Sequence, residues 1–192
     1  LWNGETVGVG AKPDLSKEYL IVMQHSVTTE HKEARAQIGE TIKAIHELNI
    51  PTIWIWPNVD AGTDELSKAI RIYRERTDQK HIHFFRFIDP SLFAKLLENT
   101  SCIVGNSSAG IKESSFLGTP AVNIGTRQKG RLKDKNVIDV PHKSEKIKDA
   151  IITQIKNGKY TKSRLYFKPN TSTQIANILS KSKTKVQKRL NY

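Results

Sequence analysis

Five short apolar runs recur along the chain, at 19–23, 52–56, 82–87, 102–104 and 121–124. Between them, near 30–48, 64–76, 90–99 and 108–117, apolar residues fall three and four positions apart, a spacing that a helix gathers onto one face. Apolar runs this short, without polar alternation, predict strands buried on both sides. Strands that alternate with helices predict a parallel sheet covered on both faces. Right-handed crossovers then give a doubly wound α/β layer. Asn49, Ile50 and Pro51 predict a helix stop before the second strand. Two more helical stretches, 143–157 and 171–181, close the pattern. The Gly-rich, polar segment 1–18 reads as a linker, 19–180 as the folded domain and 181–192 as a basic tail.

Composition narrows the class. The 192 residues are 37% hydrophobic and 26% charged, with seven prolines, which suits one globular core and excludes a disordered chain. The net charge of +12 would invite an anionic polymer as partner, but ten of the cations lie in 151–192, where there is no Asp or Glu. The body is therefore nearly balanced, and the basic stretch reads as a solvated helix face and tail. Within 181–192 no aromatic residue precedes Tyr192, so a base-stacking platform is absent and nucleic acid is an unlikely partner. No run approaches the ~20 apolar residues of a membrane helix, and no signal peptide opens the chain. The single cysteine, Cys102, suits a reducing, cytoplasmic setting. The first residue, Leu1, leads us to expect a chain that begins mid-protein, with an N-terminal domain missing.

In a doubly wound sheet, ligands bind beyond the carboxyl ends of the strands, so the loops there hold the candidate chemistry. After 102–104 comes Gly105-Asn106-Ser107-Ser108-Ala109-Gly110. Small residues allow a tight turn, Ser107 or Ser108 can cap a helix over 108–117, and its N-terminus would attract phosphate. A capped helix with no ligand is the plainer reading of the same residues. Glu113 could accept two hydrogen bonds from a ribose diol, or serve as a first-turn surface charge. After 121–124 comes Gly125-Thr126-Arg127-Gln128-Lys129-Gly130-Arg131, in which Arg127 is best placed to pair with phosphate oxygens. After 19–23 comes Gln24-His25-Ser26-Val27-Thr28-Thr29-Glu30, with Thr28 or Thr29 as a helix cap. His25, with an ordinary pKa near 6.5, could assist proton transfer, or could be structural. Asn58, in the turn after the second strand, could face a ligand or simply make a turn. The other histidines show no metal-site spacing, and no metal or organic cofactor is expected.

Four of these segments, QHSVTTE at 24–30, PNVDAG at 57–62, GNSSAGIKES at 105–114 and GTPAVNIGTRQKGR at 118–131, together resemble the C-terminal half of the hydrolysing UDP-N-acetylglucosamine 2-epimerases. The resemblance covers roughly residues 19–140. Non-hydrolysing relatives carry an HRREN-type motif and a DSGG-type phosphate loop, where this chain has QHSVTTE and GNSS. The family implies a Rossmann-like domain, the C-terminal half of a glycosyltransferase-B-like two-domain enzyme, with UDP-N-acetylglucosamine in the cleft. By matching position, it implies Ser107 and Ser108 at the diphosphate, Glu113 at the ribose and backbone groups of Ile88 at the uracil. Asn58 and Arg127 would line the cleft, and His25 would act beside the sugar. It also implies elimination of UDP followed by hydration to N-acetylmannosamine, in a homo-oligomer. The acid/base carboxylates of that chemistry belong to the other domain, so the chain alone is expected to bind UDP weakly and to lack activity. Two other classes fit the same pattern: the donor-binding domain of a UDP-sugar glycosyltransferase, and a nucleotide- or nucleic-acid-binding module using the basic tail.

Overall fold

The computed structural model describes residues 8–11, 14–77 and 80–183. Seven strands form one sheet: β1 (Gly8–Gly10), β2 (Leu20–Met23), β3 (Thr52–Ile55), β4 (Ile82–Phe85), β5 (Cys102–Gly105), β6 (Ala121–Ile124) and β7 (Val137–Val140). Their order is β1-β4-β3-β2-β5-β6-β7, with β1 antiparallel to β4 and every other pair parallel. The parallel strands follow the dinucleotide-fold order, and the chain leaves the centre in opposite directions after β2 and after β5. The fold is thus a Rossmann-like parallel sheet flanked by helices.

The helices are α1 (Ala34–Leu48), α2 (Thr63–Arg76), α3 (Pro90–Asn99), α4 (Glu113–Leu117), α5 (Ser144–Asn157) and α6 (Thr171–Lys181). α1 ends where the sequence predicts: Asn49 turns left-handed at φ 50° and its N–H reaches the Ile45 carbonyl, ahead of Pro51. α3 begins on the Asp89 carboxylate, which accepts the N–H groups of Ser91 and Leu92, with Pro90 at the first helical position. Alternate strand residues feed two cores. Leu20, Val22, Trp54, Phe84 and Val104 pack with residues of α1, α2 and α5 on one face. Tyr19, Ile21, Ile53, Phe85 and Ile103 pack with Leu96 and Leu97 of α3 on the other. Leu20, Ile21 and Val22 are wholly buried, each contributing about 1.5–3 kcal/mol.

Several expectations change. Inside the presumed linker 1–18, Gly8–Gly10 forms an edge strand, and β7 adds an edge that no apolar run announced. The strands at 52 and 82 end at Ile55 and Phe85. The stretch 108–117 divides into a 3-10 turn at Ser108–Gly110 and the five-residue α4. Neither Thr28 nor Thr29 caps a helix: a 3-10 turn, Thr28–Glu33, follows Val27 and leads into α1. Of the basic tail, Lys181 ends α6, and 184–192 lie outside the described residues.

Candidate functional site

The site grows from the pairing of β2 with β5. Met23 faces Gly105 across the last rung of that pair. Gly105 has φ +132°, and a Cβ there would stand 2.1 Å from the Met23 carbonyl oxygen, so only glycine lets the two strand ends close. The next residue, Asn106, is 1% exposed and donates its own N–H to Met23 O at 3.1 Å. Its carboxamide then meets the main chain of His25: Oδ1 accepts the His25 N–H at 2.7 Å, and Nδ2 donates to the His25 carbonyl at 2.8 Å. This amide continues the β ladder by one side-chain rung at the point where the sheet changes direction.

His25 is 5% exposed. Its Nδ1 accepts the backbone N–H of Asn58 at 3.2 Å, which leaves the ring proton of the neutral form on Nε2. Burial pushes its pKa down to about 4, the nearby Arg127 charge pushes the same way, and Asp60 opposes them. The sequence suggested a titrating group near neutrality; the fold makes a neutral imidazole that presents an N–H. Asn58 enters through its backbone: its carbonyl accepts the Thr63 hydroxyl at 2.7 Å, while the residue as a whole is exposed.

The loop after β6 reaches the same point. Gly125 turns at φ +73°. The Thr126 hydroxyl donates to the Glu30 carboxylate. Arg127 lies with Nη1 at 3.4 Å from the Asn106 carbonyl and Nη2 at 3.9 Å from the Asp60 carboxylate. Gln128, 1% exposed, donates to that Asn106 carbonyl at 2.6 Å. Ser26, Thr28, Thr29, Glu30, Asp60, Thr126, Arg127 and Lys129 line a cavity of about 550 Å³. Two cations, two carboxylates and four hydroxyls meet beside the direction change of the sheet, so the lining suits a hydroxyl-rich ligand whose anionic group pairs with Arg127 and Lys129.

The remaining expected residues are distributed around this centre. Ser107 and Ser108 follow Asn106 directly and are half-buried. The Ser107 hydroxyl oxygen accepts the Ala109 N–H at 3.4 Å. The N–H groups of residues 109–112 are taken up inside the turn, and α4 is a single short helix. What the segment presents is the Ser107 and Ser108 hydroxyls, next in sequence to the Asn106 carbonyl that Arg127 contacts. Glu113 is exposed and lines a separate groove of about 590 Å³ with Pro90, Phe93, Phe116, Tyr166 and Phe167. The segment Gly105 to Glu113 thus starts against Arg127 and ends in that groove. Ile88 is 7% exposed and packs in the second core, so whatever it offers a ligand comes from its backbone.

The structure brings His25, Asn58 and Arg127 close together and joins them through Asn106, a residue with no role in the reading from sequence. Gln128 and Glu30 were missed as well. The signal for Asn106 was its position as the first residue beyond a buried strand. Among the described residues, no cluster of three His, Cys, Asp or Glu side chains is arranged to hold a metal ion. None of the helices described is long and apolar enough to cross a membrane.

Comparison with known proteins agrees with this architecture. Residues 5–180 match the family described as UDP-N-acetylglucosamine 2-epimerase. The chain is 34% identical over 146 residues to a UDP-N-acetylglucosamine 2-epimerase of Neisseria meningitidis serogroup B, covering 75% of this chain and 37% of that protein. It is 32% identical over 152 residues to a UDP-N,N'-diacetylbacillosamine 2-epimerase (hydrolyzing) of Legionella pneumophila, covering 78% and 37%. The crystal structure of the Methanocaldococcus jannaschii UDP-GlcNAc 2-epimerase in complex with UDP-GlcNAc and UDP shares the fold, with a TM-score of 0.67 at 15% identity, over 86% of this chain and 46% of that one. The chain therefore spans less than half the length of these relatives. It belongs to the UDP-N-acetylglucosamine 2-epimerase family.

Proposed function

We propose that this chain is the UDP-binding, C-terminal half of a hydrolysing UDP-N-acetylglucosamine 2-epimerase. The observation that carries the reading is the convergence of His25, Asn106 and Arg127 where the sheet changes direction. In this reading Ser107, Ser108 and Arg127 take the diphosphate, and Arg127 exchanges its long contact with Asp60 for phosphate oxygens. Glu113 takes the ribose hydroxyls, and backbone groups near Ile88 meet the uracil. The whole protein removes the proton at C2 of the sugar, expels UDP from C1, and adds water to the resulting glycal with inversion at C2. The products are N-acetylmannosamine and UDP. A leaving diphosphate needs donors fixed before it acquires charge. A neutral His25 fits that need: with its pKa near 4 it is a weak base, and its Nε2–H can donate to the departing oxygen or the sugar. The carboxylates that move the C2 proton are assigned to the other domain of the parent protein, so this chain alone turns over nothing.

The support is the family membership, the hydrolysing type named for the Legionella relative, and the cation-and-hydroxyl cavity. Product analysis of the full-length protein with UDP-N-acetylglucosamine tests it. Release of free N-acetylmannosamine together with UDP is expected; a UDP-N-acetylmannosamine product, with the nucleotide still attached, overturns the hydrolysing assignment.

A further inference from the structure

Glu30 poses an electrostatic question. Its carboxylate lines the same cavity as Arg127 and Lys129, where an ionised acid repels the anion those cations attract. Its hydrogen bonds hold it ionised: the Thr126 hydroxyl first, then the Gln37 amide, keep its pKa below the ordinary value. A charge that works against the ligand needs another reason to be there, and its contacts supply one. One oxygen accepts from Thr126, the residue before Arg127, and the other accepts Gln37 Nε2 at 2.7 Å. Gln37 is 7% exposed on α1 and packed into the fold, so the carboxylate ties the exposed loop to a fixed point. The backbone at Glu30 breaks the 3-10 turn, at φ −121° and ψ 23°, which sets that residue apart from its helical neighbours.

The loop's other holds lie on either side of Arg127: the Gly125 N–H donates to the Val140 carbonyl at 2.9 Å, and buried Gln128 donates to the Asn106 carbonyl at 2.6 Å. Among the described residues, Arg127 itself is placed by the long contacts of 3.4 Å and 3.9 Å already described. Gly125 packs against His142 so closely that a Cβ would stand 2.1 Å from Nε2, which fixes where the loop begins but not where Arg127 goes. Beyond Arg127, Gly130 turns at φ +79° into open space. We propose that Glu30 is the positioning residue of the diphosphate site, holding the 125–131 loop through Thr126 so that Arg127 stands ready for an anion. The consequence for ligand affinity rests on the UDP reading above; the hold on the loop does not.

The test pairs two measurements on the chain with Glu30→Ala, Thr126→Val, their double variant and Thr126→Ser. Hydrogen–deuterium exchange without ligand reads the hold directly. Amides of 126–131 should exchange at least about tenfold faster in both single variants, with the central strands unchanged, and Thr126→Ser, which keeps the hydroxyl, should restore protection. Calorimetry with UDP should show affinity reduced about five- to twentyfold in each single variant and no further in the double, the signature of one shared interaction. Unchanged exchange in Glu30→Ala overturns the proposal, as does tighter UDP binding with unchanged exchange, which would make Glu30 a repelling charge and nothing more. Faster loop exchange in a chain that binds no UDP would uphold the hold by Glu30 and locate the failure in the UDP reading.

Discussion

Asn106 grips the main chain of His25 at both ends, accepting its N–H at 2.7 Å and donating to its carbonyl at 2.8 Å, across 81 residues of sequence. Both partners are buried. Removing one side of such an exchange leaves an unpaired polar group away from water, at about 1–3 kcal/mol. Asn106→Ala leaves two, so a loss of about 2–4 kcal/mol in chemical unfolding is expected. Asn106→Asp keeps the acceptor but sets a buried carboxylate oxygen against the His25 carbonyl, and should cost at least as much. A loss under about 0.5 kcal/mol for Asn106→Ala would show that the two loops are held together by other contacts.

The depressed pKa of His25 predicts a pH dependence of known sign. Unfolded, the ring protonates near 6.5; folded, it resists until about 4. Between those values the unfolded chain binds the extra proton, so stability is whole above about pH 6.5 and declines as pH falls toward 4, by at most about 1.4 kcal/mol per pH unit. His142, also lowered by burial, adds a decline of the same sign. His25→Asn keeps an acceptor for the Asn58 N–H but cannot titrate. Unfolding free energies at pH 7 and pH 5 should therefore converge more in this variant than in the wild type. An NMR titration of the His25 ring with a midpoint near 6.5 would contradict the account.

Much of this fold was legible because its signals are local. Ile21, Ile53 and Ile103 lie in apolar runs flanked by helical periodicity, and Asn49 before Pro51 stops α1 as its chemistry predicts. What was hidden depends on partners. The edge strand Gly8–Gly10 has no apolar run and exists through its antiparallel pairing with β4. β7 is another edge, only half-buried, with Asp139 interrupting its apolar residues and accepting from Asn123. The helix expected over 108–117 fails because Gly110 and three serines favour turns over helix, and Gly118 ends α4 after five residues. Asn106 and Glu30 could be read as loop residues, but their roles appear only when the sheet brings His25 and Thr126 beside them.

Gly105 offers a steric prediction. Gly105→Ala must place a Cβ at 2.1 Å from the Met23 carbonyl oxygen, on a backbone at φ +132° that side chains avoid. The ends of β2 and β5 would have to separate, at a cost of more than about 3 kcal/mol. A melting temperature within 2–3 °C of wild type, roughly half to one kcal/mol for a domain this size, would show that the strand ends are freer than the structure implies.

Arg127 separates charge from geometry. Its planar guanidinium can meet two phosphate oxygens at once, which a lysine ammonium cannot. Arg127→Lys should therefore weaken UDP binding about tenfold or more while leaving stability within about 0.5 kcal/mol, since its present contacts are long and partly exposed. Equal affinity for the lysine variant would mean that Arg127 supplies only diffuse charge.

Calorimetric titration of this chain with UDP tests most directly whether the segment from Gly105 to Glu113 holds the nucleotide. The chain should bind, and both the Ser107→Ala/Ser108→Ala and the Glu113→Ala variants should bind more weakly than wild type. Binding that both variants leave untouched would place the nucleotide elsewhere and contradict the account.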